Sequence, residues 1–324
     1  MPHLLSKSTY MRGRQCPKSL WLYKYQRELM PPVDAGKQAI FDSGTSVGLL
    51  AQGLFPDGVN CAPPTPFDLA QSVAETQQAI ARGERVIYEA AFMRDDVLAA
   101  MDILVHTDAG WKAYEVKGST GVKDVYIADV ALQRYVIEGS LPLVDVSIVH
   151  LDKTYVKQGP IDVEGLFTIT SVKEEVDHER AGVPARIAAL KAVLQLPEAP
   201  VMDIGPQCES PYPCDFKAHC WAHVPTPSVF DLTHIGEKQW ELYRRGIVRL
   251  ADVPSTEPLS AAQRRQVDGC ISGKGTMDRD ALRHWLDELR YPLHHFDFET
   301  MNPAVPLYDS SRPFQQLPFQ YSLH

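Results

Sequence analysis

The chain has 324 residues, 44% apolar and 23% charged, a globular composition with enough apolar material for one large domain or two smaller ones. A net charge of -9 argues against a generally basic surface, so a nucleic-acid partner would have to be met by a local cluster of Lys and Arg. No run of about 18 apolar residues crosses a bilayer, and Met1 to Lys24 lacks the apolar stretch of a secretory signal, so a cytoplasmic protein with no membrane partner is expected.

Cys16 to Arg27 has helical apolar spacing, with Pro17 suited to a first turn. A second short helix is predicted from Ser46 to Leu54, ending in Pro56-Asp57-Gly58, and a third from Asp68 to Arg82, stopped by Gly83. Arg85 to Met93, Val97 to His106 and Trp111 to Lys117 are strands of an antiparallel meander, the last two joined by the turn Thr107-Asp108-Ala109-Gly110. Asp124 is placed to cap a helix from Val125 to Glu138 that Gly139 ends, and Val144 to Leu151 has the content of a buried strand. This order specifies an α/β core. After Val224, Pro225, Pro227 and Ser228 form a linker into a helical connector with helices at Asp231 to Arg249, Ser260 to Gly269 and Asp278 to Arg290.

Charge is unevenly distributed. Lys7, Arg12, Arg14, Lys18 and Lys24 fall before any acidic residue and interleave with Tyr10, Trp21 and Tyr23, a pattern suited either to phosphate contact or to a solvated basic helix face. Farther along, a turn centred between Asp108 and Ala109 puts Asp102 opposite Glu115, ~5 Å apart at Cβ. Glu115 and Lys117 share a strand face by alternation, so Asp102, Glu115 and Lys117 converge, provided the turn has two residues rather than three. Carboxylates in that arrangement hold Mg2+ or Mn2+ beside a phosphodiester, with the Val116 carbonyl as a further ligand. Lys117 would position or deprotonate the attacking water, or stabilise developing negative charge. Ordinary edge-strand charges satisfy the same spacing. Glu89, on the preceding strand, is a weaker candidate.

Cys208, Cys214 and Cys220 lie among Pro206, Pro211 and Pro213, where little regular structure forms and bound metal could supply stability. Zinc favours two-residue gaps between paired cysteines, so gaps of five suit an iron-sulfur cubane better, with Cys16 as fourth ligand; zinc, with His219 or His223 substituting, and free thiols stay open. Cys61 and Cys270 have no partners in spacing and are expected to be buried thiols.

Asp102-Ile103-Leu104, Tyr114-Glu115-Val116-Lys117-Gly118-Ser119 and Gln133-Arg134-Tyr135 resemble the successive motifs of the RecB-type branch of the PD-(D/E)xK nucleases. Ser6-Lys7-Ser8-Thr9-Tyr10 leading to Cys16-Pro17-Lys18, with Cys208, Cys214 and Cys220-Trp221, resembles its iron-sulfur group, which includes AddB and the CRISPR-associated exonucleases. The resemblance covers roughly residues 1–225. It implies a restriction-endonuclease-like fold (a mixed sheet flanked by helices), metal on Asp102 and Glu115, a catalytic Lys117, DNA-facing Gln133 and Tyr135, and a 4Fe-4S cluster on the four cysteines. The chain departs from the pattern in two places: Gln133 is followed at the family's spacing by Ile137 rather than tyrosine, and Gly44 to Gly48 carries no histidine or glutamate for the metal.

The segment 291–324 is expected to be the incomplete start of an RNase H-like DEDD exonuclease domain, because Asp297 and Glu299 on an apolar-flanked strand resemble its first motif and Phe319 to Leu323 its second strand. The function expected is a metal-dependent DNA nuclease acting on single strands or duplex ends. A cluster-stabilised nucleic-acid-binding module impaired in catalysis is the alternative, and a zinc protein that processes RNA a third.

Overall fold

In the computed structural model, residues 5–65 and 68–324 are described. The protein is α/β, with a mixed seven-stranded sheet flanked by helices. It divides into two units: the residues up to Val201 with Phe298–Tyr321, and Met202–Asp297 with Ser322–His324. The division falls before the boundary expected at 225, so Cys208, Cys214 and Cys220 belong to the second unit.

The first unit runs β1 (Leu5–Ser6), α1 (Lys7–Gln15), α2 (Pro17–Tyr25), α3 (Ala35–Ala51), β2 (Val59–Asn60), α4 (Leu69–Ala81), β3 (Val86–Arg94), β4 (Val97–Thr107), β5 (Gly110–Lys117), α5 (Asp124–Ile137), β6 (Leu143–Leu151), α6 (Val163–Leu166), β7 (Phe167–Ser171), α7 (Lys173–Arg180) and α8 (Val183–Val193). The sheet order is β2-β3-β4-β5-β6-β7, with β1 added to β4. The meander β3-β4-β5 is antiparallel, as its alternation predicts. β5 and β6 are parallel, which requires the crossover that α5 provides.

Apolar side chains cover both faces of the sheet. On one, Val130, Val136 and Ile137 of α5 meet Val176 of α7, Ile187 and Leu190 of α8, and strand residues such as Met101 and Leu104. On the other, Val47 and Ala51 of α3 and Leu166 of α6 meet Tyr88, Ile103, Tyr114 and Val149. Ala304 also joins this second layer, and Asp309 accepts from Lys157 Nζ at 2.8 Å.

Some boundaries differ from expectation. Pro17 does open a helix, but α1 precedes it unforeseen, because only Tyr10 and Gly13 of its nine residues are buried. The predicted helix at 46–54 is the end of the longer α3, which Asp34 caps. Asp124 lies in the first turn of α5 and makes no capping hydrogen bond.

The second unit contains α9 (Lys217–Cys220), α10 (Lys238–Arg244), α11 (Ala261–Ser272) and α12 (Arg279–Glu288). Val229, Leu242, Leu250 and Val267 form its core. The long helix expected over 231–249 shrinks to α10, because His234, Gly236 and Gly246 adopt φ of 50, 57 and 78°, incompatible with a right-handed helix. Ser260 caps α11 in a capping box with Gln263, and Asp278 caps α12. Finally, β8 (Phe296–Met301) and β9 (Leu317–Leu323) form a two-stranded sheet. Among the described residues, no helix is long and apolar enough to cross a membrane.

Glu257 ties this unit together. It is 8% exposed, and Lys238 (2.8 Å) and Arg245 (2.9 Å) both pair with its carboxylate. The Lys238 hydrogen bond, offset by burial and helped by Arg245, holds the carboxyl below its ordinary value of 4.5. The native state therefore binds fewer protons than the unfolded chain, and the contribution is complete above that value and lost as pH falls through the native one. Glu257→Gln is expected to cost about 2 kcal/mol at pH 7, and its deficit against the parent should shrink as pH drops below 4.5. Denaturant titrations at the two pH values check this; a deficit independent of pH would contradict it.

Candidate active site

The site sits where β4 has lost its ladder on one edge. Along β4, Leu5 and Ser6 of β1 pair with Val97 and Leu98, while β5 pairs from Ile103 to Thr107. β3 occupies the opposite edge over both stretches. Residues 99–102 thus face a gap bounded by β1 at one end and β5 at the other, and Asp102 stands in it.

The register is the one expected, with Ile103 opposite Tyr114, so Asp102 comes next opposite Glu115. The backbone ladder stops before that pair. Instead Val116 donates its N–H to Asp102 Oδ2 at 2.6 Å, a side chain replacing the ladder bond. Across β4, Glu89 occupies the matching break in β3, with a left-handed φ of 53°. The apolar alternation slips at both positions: Ile87 and Ala90 face the α5 layer on β3, Met101 and Leu104 on β4. The register is the same on either side of this break, and Glu89 and Asp102 both lie near enough to Glu115 and Lys7 to feel their charges.

Glu115, 2% exposed, is the hub. Its Oε1 accepts from Lys117 Nζ at 2.7 Å and from Lys7 Nζ at 2.8 Å, and its Oε2 from Gln133 Nε2 at 2.8 Å. Lys117 Nζ also donates to Asp129 Oδ2 at 2.6 Å and lies 5.2 Å from the Tyr126 ring centroid. Asp129 and Gln133 are four apart on α5 and share a face.

Burial alone would raise the Glu115 carboxyl, but the Lys117 and Lys7 ammonium groups hold it below the carboxylate range. Burial would lower Lys117, yet Glu115 and Asp129 raise it above its ordinary value, so it stays charged. Burial followed by the Glu115 charge pushes Asp102 up to about 8. Burial also raises Glu89. A carboxyl raised by burial and a like-charged neighbour is a group whose ionisation a bound cation would favour.

Asp102, Glu115, Lys117 and Gln133 therefore come together. Tyr135 does not join them: its hydroxyl donates to Asp95 at 2.6 Å and its ring lies under Arg94 at 4.1 Å. Two residues along a helix turn the side chain ~200° away from Gln133. Asp129 and Lys7 escaped the sequence reading. The first was signalled by its i,i+4 spacing to Gln133, the second by nothing local.

Among the described residues, no group of three or more His, Cys, Asp and Glu side chains is gathered to hold a metal. The donors near Asp102 and Glu115 are hard oxygens, and Gln133 Oε1 is buried without a hydrogen-bond partner. That set fits a cation such as Mg2+, which takes one or two carboxylates and completes its shell with water and phosphate.

The basic N-terminal stretch is partly consumed by pairing. Lys7 enters the site, Arg14 pairs with Glu179, and Arg12 lies over the Tyr23 ring. Lys24 and Arg27 remain on the surface, lining a cavity of about 320 Å3 with Tyr23 and Thr9.

Cys16 closes α1 and caps α2, its Sγ accepting from Ser19 N–H at 3.4 Å. In the second unit, Cys208 ends a three-residue helical turn, Cys214 donates its N–H to the Cys208 carbonyl at 2.8 Å, and Cys220 ends α9. Cys208 and Cys220 pack with Trp221 and Trp240, and none of the six cysteines forms a disulfide. His223 bonds through one nitrogen to the Cys220 carbonyl and through the other to Tyr243; His219 is exposed. Cys61 is buried, as expected, and Cys270 partly so. Asp297 and Glu299 are exposed and alternate with Phe296 and Phe298 on β8.

Residues 294–324 match a family model described as a domain of unknown function (DUF2779). No curated protein matches the chain. Among solved structures, the chain is similar to one titled "Crystal structure of SSO0001", at 12% identity and a TM-score of 0.33, over 69% of this chain and 89% of that one.

Proposed function

We infer that the protein is a metal-dependent nuclease of the RecB-type PD-(D/E)xK kind, with a restriction-endonuclease-like core and DNA single strands or duplex ends as substrate. The observation that carries this reading is the Lys117 ammonium held between Glu115 and Asp129 beside the raised carboxyl of Asp102.

Asp102, Glu115 and the Val116 carbonyl would hold Mg2+ or Mn2+, which when bound neutralises a phosphate oxygen and acidifies water. Gln133 fixes Glu115 through Oε2. Lys117, held protonated, acts on the negative charge that develops at phosphorus; of the roles its position allowed, water deprotonation is the one its charge state disfavours. Lys24 and Arg27 offer a strand two surface cations.

The second half of the reading is a 4Fe-4S cluster on Cys16, Cys208, Cys214 and Cys220, supported by the spacing of these soft donors in the sequence and by a segment of one-turn helices. Asp297 and Glu299 are proposed as an RNase H-like acid pair.

The test is Mn2+-dependent degradation of end-labelled single-stranded DNA by anaerobically purified protein. Lys117→Ala is expected to lose about 10³-fold in rate while still binding the strand. A parent that binds but never cleaves points to the non-catalytic module, and a parent that does neither sinks both.

A further inference from the structure

Lys7 has no place in the reading just given, yet it is the most remotely delivered group in the site. β1 pairs in parallel with Val97 and Leu98, on the edge of β4 that β5 leaves unpaired. Ser6 then starts α1 through a capping box with Thr9, fixing the first helical residue at the mouth of the gap. That residue is Lys7, and its Nζ meets Glu115 Oε1, the oxygen Lys117 also uses.

The geometry gives this contact its meaning. Glu115 is buried, and Lys7 and Lys117 approach the same oxygen of it while Gln133 holds the other. With Lys7 present, the ammonium competes with a cation for Glu115 and holds that carboxylate in one rotamer.

We propose that Lys7 is a positioning residue of the nuclease site, trading cation affinity for a Glu115 carboxylate held in one place. The proposal rests on the nuclease reading, and two readouts separate their failures: Mn2+ affinity by calorimetry with Mn2+ alone, and kcat and KM on a labelled oligonucleotide.

Lys7→Met is expected to bind Mn2+ about tenfold more tightly, because a like charge beside the ligand is gone, and to turn over about 10²-fold more slowly. A purely structural lysine would instead weaken Mn2+ binding as the fold loosens. Lys7→Arg, which keeps the charge, is expected to retain the parent's Mn2+ affinity within about twofold and to lose about tenfold in kcat at unchanged KM, since a planar guanidinium cannot reproduce the point contact.

Weaker Mn2+ binding by Lys7→Met, or parent-like kcat in Lys7→Arg, overturns the proposal. A parent that binds Mn2+ but cleaves nothing sinks the nuclease reading and leaves Lys7 to be judged on affinity. A parent that binds no Mn2+ overturns both.

Discussion

Glu115→Gln is expected to abolish Mn2+-dependent cleavage and to lower thermal stability in the same protein. The buried carboxylate accepts from two ammonium groups, so a neutral amide leaves Lys7 and Lys117 to share Asp129 and the less ionised Asp102. Removing one member of a buried ion pair costs ~3 kcal/mol or more, about 6–12 °C in midpoint for a unit of this size. Rate and melting point thus fall together, unlike in Lys117→Ala, where Glu115 keeps Lys7 and Gln133 as partners. A Glu115→Gln protein that melts with the parent would show that the two lysines are not held as the structure has them. If it also cleaved, the site would lie elsewhere.

Cys214→Ser is expected to remove the proposed 4Fe-4S cluster and, with it, the order of the segment from Pro206 to Trp221. Helical structure in that stretch amounts to a turn of three residues and the four residues of α9. Binding energies of structural metals reach ~10 kcal/mol, comparable to the whole stability of a domain. Iron content should fall to background, the brown absorption should vanish, and proteolysis should begin within the segment. The fluorescence of Trp221 and Trp240, which pack 5.9 Å apart beside Cys208 and Cys220, should shift as they are exposed. A colourless protein with bound zinc would replace the cluster by zinc, and a cluster-free Cys214→Ser protein with full activity would remove the structural role altogether.

The meander and its register were legible because period-two alternation and a four-residue turn leave one good pairing, and that pairing carries Asp102, Glu115 and Lys117. Capping boxes were legible for the same local reason: Ser260 and Gln263 sit three apart. Features set by distant contacts were not. α1 is nearly polar and held by tertiary packing, Lys7 meets its partner only through the β1–β4 pairing, and the left-handed residues that cut α10 short adopt that conformation in the fold. Glu89 is a weak candidate by sequence, and only the pairing of β3 with β4 brings it near Glu115. Tyr135 enters through the resemblance of Gln133-Arg134-Tyr135 to a family motif, whereas i,i+4 spacing puts Asp129 on the face of Gln133.

The β1–β4 pairing also bears on synthesis. Lys7 and Glu115 are 108 residues apart, so at typical ribosomal speeds of about 5–20 residues per second the lysine leaves the exit tunnel ~5–20 s ahead of its partner. The Lys7–Glu115 contact therefore cannot form on a nascent chain until the hairpin has emerged, and the early segment must wait undocked for a strand not yet made.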